Sequence, residues 1–211
     1  IWQTTATHYW PGTGSTVDFY AYYPTSISGS ITHTARSEPV LSYTVPDNAT
    51  DQIDILASAK TDVAGDSYNQ NPVDFKHIFA AVQFSVGSSG LPSGTVSSIS
   101  IGNVANSGTY TFGCGWSNVT GSKIFMVSPS TAINGTSGEN ITSGTYTFLM
   151  IPQTFNDVTI TLNYSNGTTF STTIFGTWTA GNIYTYKLSK SVVYNFEYTG
   201  DAQTFTAPYT G

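Results

Sequence analysis

Ile78-Phe79-Ala80-Ala81-Val82-Gln83-Phe84-Ser85-Val86 alternates. Ile78, Ala80, Val82, Phe84 and Val86 fall on one face, and a period of two is the spacing of a strand with one buried side. The same spacing recurs at Val158, Ile160 and Leu162, at Tyr184, Tyr186 and Leu188, and at Val192, Tyr194, Phe196 and Tyr198. In another run, Val17, Phe19, Ala21 and Tyr23 share one face while Tyr20 and Tyr22 occupy the other. β-Branched and aromatic residues fill these runs, as suits a pleated surface. The one helix candidate, residues 51–60, reads equally well as a strand through Ile53 and Ile55.

Between the runs lie turn signals: Pro11-Gly12-Thr13-Gly14, Pro46-Asp47-Asn48, Gly87-Ser88-Ser89-Gly90, Asn106-Ser107-Gly108, Asn134-Gly135 and Ser165-Asn166-Gly167. The last separates two alternating runs and predicts a type I′ hairpin, in which Asn and Gly both take positive φ. Short strands with turns about every 8–12 residues argue for an all-β antiparallel sandwich. Apolar density drops over 61–71, and the strong strand pattern ends near Lys190. Three units are therefore expected: 1–70, the remainder of an N-terminal β-domain; 71–190, a second sandwich; and 191–211, an extended arm or the start of a further module.

Composition narrows the function. Charged residues are 9% of the chain, against about 25% in an average domain, so Ser, Thr, Asn and Gln must supply the polar surface. The net charge is −6. The six basic residues, Arg36, Lys60, Lys76, Lys123, Lys187 and Lys190, are spread along the chain. Neither nucleic acid nor an anionic membrane surface suits that distribution. No apolar run is long enough to span a membrane as a helix. The single cysteine, Cys114, reads as a small buried hydrophobe rather than a nucleophile. Six N-x-S/T triplets, at Asn48, Asn118, Asn134, Asn140, Asn163 and Asn166, read as loops and turns.

Catalytic signatures are absent from the sequence: there is no H-E-x-x-H, no D-x-D-x-D-G and no C-x-x-C. The reading is a non-enzyme with no cofactor and no metal. Asp51 and Asp54 are too few for a calcium loop. His77, at the head of the clearest strand, reads as a corner histidine with a hydrogen-bonded ring; His8 and His33 have no recognisable partner. Tyr9, Trp10, Tyr20 and Tyr22 are candidate glycan contacts, although aromatics on both faces of 17–24 are more simply explained by a strand buried on both sides.

Five segments in order resemble the fimbrillin family of Bacteroidetes-type bacteria, the Mfa-like and FimA-like pilins and anchor proteins. They are Tyr9-Trp10-Pro11 with Val17-Asp18-Phe19-Tyr20-Ala21-Tyr22-Tyr23-Pro24; Asp54-Ile55-Leu56-Ala57; Val73 to Val82 around Phe75-Lys76-His77; Leu149-Met150-Ile151-Pro152-Gln153; and Trp178-Thr179-Ala180-Gly181-Asn182-Ile183-Tyr184. The resemblance implies transthyretin-like or Ig-like sandwich domains and an exported lipoprotein precursor. It also implies a place in a fimbria on the outer membrane, where other subunits are the partners and a host protein or glycan is the adhesion target. Family members carry further N-terminal strands, one of which is removed by an Arg-directed protease. Arg36, the only arginine, lies downstream of that cut and is not assigned to it.

Val192, Tyr194, Phe196 and Tyr198 have the character of a strand donated to another subunit. The plainer reading is an ordinary last strand. Residues 196–211 resemble the opening of a glycine-rich module. A carbohydrate-binding surface module and a virion or surface-fibre component are the alternative functions.

Overall fold

Alternating runs become strands where both the backbone and one apolar face can be satisfied. The computed structural model describes residues 6–67 and 71–190. Its strands are β1 (Thr16–Tyr23), β2 (Ile31–Thr32), β3 (Val40–Thr44), β4 (Leu56–Ala64), β5 (Lys76–His77), β6 (Ala80–Val86), β7 (Gly94–Val104) and β8 (Ser107–Thr111). They continue with β9 (Gly115–Thr120), β10 (Lys123–Val127), β11 (Thr131–Ile133), β12 (Phe148–Met150), β13 (Gln153–Tyr164), β14 (Thr169–Trp178) and β15 (Ile183–Leu188). The helical content of the described residues is three short 3-10 turns, so the protein is all-β, as the alternation predicts.

The strands form four sheets, ordered β1-β4-β5, β2-β3-β8-β9, β12-β6-β15 and β10-β7-β13-β14, with β11 also on β7. Among these strands pairing is antiparallel except for β15, which runs parallel to β6 from Ile183↔Ala81 to Leu188↔Val86. The β3–β8 ladder, from Val40↔Thr111 to Thr44↔Ser107, crosses residue 70. One buried apolar cluster runs from Ile27 to Leu188. β6 supplies Ala80, Val82, Phe84 and Val86 to it, and β13 supplies Val158, Ile160 and Leu162. These are the residues whose spacing predicted strands.

Three local expectations change. The hairpin at Ser165-Asn166-Gly167 forms, but Asn166 does not take positive φ; Gly167 does, at +86°. Gly167 N–H donates to the Tyr164 carbonyl at 3.0 Å, and Tyr164 N–H to Thr168 at 2.8 Å. This is a type I turn closed by a left-handed glycine, the usual three-residue hairpin loop. The Asn166 side chain accepts from Thr168 N–H at 3.0 Å, which holds the Asn in the turn without positive φ. The ambiguous segment 51–60 begins in a 3-10 turn, Ala49–Asp51, capped by the Asn48 side chain, and continues as β4. Asn118 and Asn163 lie in strands rather than loops.

Side-chain amides and carboxylates complete backbone pairing where strands bend or stop. Gln153 Oε1 accepts from Ala105 N–H at 2.9 Å, and its Nε2 donates to the Ala105 and Ile151 carbonyls at 2.9 and 3.1 Å. It stands in for a peptide unit at the end of β7. Gln52 does the same between Leu149 N–H and the Pro46 carbonyl. Glu139 accepts from the backbone N–H groups of Asn134, Gly135 and Thr136 and from the Asn134 amide. Desolvation pulls its pKa upward, but these hydrogen bonds prevail and hold the carboxyl below its ordinary value.

Two predictions follow from these contacts. Gln153→Leu leaves Ala105 without its partner and is expected to lower unfolding free energy by about 1–3 kcal/mol, seen as a lower urea midpoint at unchanged slope. Because Glu139 has a depressed folded-state pKa, its contribution is full above the unfolded-state value and is lost as pH falls through the folded value. Melting temperatures of the wild type and Glu139→Gln are therefore expected to differ most at neutral pH and to converge only as pH falls below the ordinary carboxylate range.

Candidate functional site

The aromatic residues divide into separate groups. On one face of β1, Trp10 meets Phe19 edge to face, with ring centroids 6.0 Å apart. Tyr9 beside it is 89% exposed. On the opposite face, Tyr20 and Tyr22 contact the buried ring of Phe112 at 6.3 and 6.4 Å. The structure thus brings Tyr9 and Trp10 together but turns Tyr20 and Tyr22 toward the core. Alternation causes the split, since neighbouring positions of a strand point to opposite faces. Val192, Tyr194, Phe196 and Tyr198 lie outside the described residues, as does the segment resembling a glycine-rich module.

His77 lies on β5 rather than at the head of β6. Its Nδ1 is 2.8 Å from Asp54 Oδ2, and both side chains are about half exposed. The ring is therefore held by a partner, as the corner reading anticipates. Cys114 is exposed, contrary to its reading as a buried hydrophobe. It sits in the turn between β8 and β9, where Gly113 and Gly115 take φ of +84° and +104°. A turn this tight presents its central side chain to solvent. Among the described residues no cluster of three or more metal-ligating side chains forms.

Sequence reading missed a groove of about 950 Å3 beside β4 and β5. It is lined by Ala57–Lys60 of β4, by Pro72 and 74–78, by Tyr110 and 113–116, and by Pro152 with Ala180 and Gly181. Trp116 is fixed there by its Nε1–H, which donates to the Ile78 carbonyl at 2.7 Å. Its ring lies 5.5 Å from Phe79 and 5.6 Å from Tyr110. Burial, and then the neighbouring Cys114, push the Tyr110 phenol above its ordinary pKa, so Tyr110 stays a neutral hydroxyl near pH 7. Lys60 reaches across to the Pro72 carbonyl at 3.2 Å. The residues come from five separate stretches of chain, and no sequence spacing connects them.

Two solved structures share this fold. One is a candidate cell adhesion protein from Bacteroides ovatus, with 16% identity, a TM-score of 0.60, and coverage of 90% of this chain and 68% of that one. The other is a candidate cell adhesion protein from Bacteroides uniformis, with 18% identity, a TM-score of 0.53, and coverage of 83% and 68%. No curated protein matches the chain. The family model described as fimbrillin-like matches residues 1–203. With nearly the whole chain matched, and with the ordered Tyr-Trp-Pro, Ile-Pro-Gln and Trp-to-Tyr segments placed in one all-β fold, the chain belongs to the fimbrillin-like family.

Proposed function

We propose that this chain is a structural, non-enzymatic subunit of a cell-surface fimbria, acting in the stalk, tip or anchor. It is exported as a lipoprotein precursor to the outer membrane, and it assembles with other subunits by β-strand donation. Membership of the fimbrillin-like family supports the surface-appendage role. The description of both structural relatives as candidate adhesion proteins supports a role in attachment.

The observation that carries the assembly reading is the edge of the β1-β4-β5 sheet. β1 is an edge strand of eight residues, Thr16–Tyr23, and among the described residues no strand pairs with its outer side. A long unpaired edge presents a row of N–H and C=O groups that templates pairing with another chain. A donated strand satisfies those groups, and its alternate side chains settle against the exposed aromatic face. The segment Val192 to Tyr198 fits the length. Its seven residues extend to about 23 Å, against about 26 Å for the eight of β1.

The test uses the assembled protein recovered from the cell surface, run on denaturing gels with and without boiling. A ladder that collapses to one band on boiling, and that vanishes when residues 191–211 are deleted, is the expected outcome. A single monomer band from the full-length protein without boiling would sink strand donation.

A further inference from the structure

The groove beside β4 lies on the far side of the β1-β4-β5 sheet from the proposed assembly edge, so its occupancy is a separate question. We propose that this groove binds a carboxylated sugar. The argument rests on size, wall chemistry, charge and rigidity.

At about 950 Å3 the groove is at the upper end of the range of roughly 300–1,000 Å3 for small-ligand sites. Its walls carry Phe75, which is 41% exposed, with half-buried Tyr110 and Trp116. The apolar C–H face of a sugar ring packs on such aromatic faces, while its hydroxyls reach the polar groups between them. Charge selects the kind of sugar. The protein carries a net −6, yet Lys60 and Lys76, two of its six basic residues, line this one groove with one acidic residue, Asp74, while the Asp54 carboxylate is paired to the lining His77. Lys60 spends one donor on the Pro72 carbonyl and retains two more N–H groups. Lys76 is exposed on β5. A ligand carboxylate set against the exposed Lys76 ammonium accepts a charge-assisted hydrogen bond. Trp116 is fixed by Ile78 and His77 by Asp54, so the walls are formed before the ligand arrives.

An extended acidic peptide fits less well. β5 already covers Leu56 and Ala57 of β4. The Lys60–Pro72 bridge then crosses the next stretch, where an added strand would have to lie. A compact ligand needs no such edge.

The chain's only cysteine lines this groove and is exposed, so it reports occupancy without a label. The experiment measures the rate at which iodoacetamide alkylates Cys114 in the full-length protein, with 3′-sialyllactose, tetragalacturonate, lactose or a hexaglutamate peptide present. An acidic sugar at about ten times its dissociation constant is expected to slow alkylation about tenfold, because only the unoccupied fraction reacts. Lactose is expected to leave the rate unchanged. Lys76→Gln is expected to weaken the affinity about tenfold, as the loss of one charge-assisted hydrogen bond implies, so that the same sugar concentration slows alkylation only about twofold, with no change in melting temperature. Phe75→Ala, also exposed, is expected to weaken it as well. The proposal is overturned if neither acidic sugar protects Cys114 at millimolar concentration, if lactose protects equally, or if only hexaglutamate protects. A protein that stays monomeric yet shows sugar protection would remove the strand-donation reading and leave this one standing.

Discussion

The short link Ile78-Phe79 must leave one sheet and enter another without stranding a buried polar group. Both residues are nearly inaccessible, at 1% and 2% exposure, and an unpaired buried peptide group is costly. Three of the link's backbone groups are paired. Ile78 N–H donates to the Ile55 carbonyl at 3.1 Å, and Gly181 N–H donates to the Phe79 carbonyl at 2.8 Å. The remaining acceptor, the Ile78 carbonyl, receives the Trp116 indole N–H at 2.7 Å. Phe79 then places its ring between Tyr43 and Trp116. Strands β5 and β6 are thereby locked to β4, to β9 and to the turn before β15. The same junction borders the groove, which Ile78 and Trp116 help to line.

With so few charges, the protein relies on burial and on neutral hydrogen bonds. Among the described residues two ion pairs are present, His77–Asp54 and Lys123–Asp47, and both are exposed. Pairs of that kind contribute little to stability. The irregular joints are instead closed by polar side chains that imitate the backbone. Gln153 closes the end of β7, and Thr142 Oγ1 accepts from Phe84 N–H at 3.0 Å. Asp18 Oδ1 accepts from Asp62 N–H at 2.8 Å, where the β1–β4 register slips and Asp62 takes a φ of +58°. A surface rich in Ser, Thr, Asn and Gln is thus partly a supply of such substitutes.

The β1-β4-β5 sheet gives the two proposals a common geometry. Among the described residues one edge is β1, with no strand on its outer side, and the opposite side carries the compact groove. In the two proposals assembly and attachment use different sides of this sheet, so a subunit joined through β1 would keep the groove open.

The sequence by itself determined the class of fold and the buried faces. Alternation at 80–86, 158–162 and 184–188 survives unchanged in β6, β13 and β15, because inside-outside partition along a strand depends on neighbours two residues apart. The family segments were likewise legible, and Gln153 in one of them proves to be a backbone substitute. Local pattern could not choose the turn type at Asn166, since the Asn side chain and the closing Gly share that choice. Nor could it place Cys114, which a tight Gly-Cys-Gly turn pushes outward although its type favours burial. Alternation already set Tyr20 and Tyr22 on the face opposite Phe19, and only the tertiary structure supplied Phe112 as the buried ring they meet. The parallel β15–β6 ladder, the place of β1 at the edge of the described sheet and the groove were decided by tertiary structure alone. Each depends on which distant strands become neighbours, and that is settled by how the whole core closes rather than by any short stretch of chain.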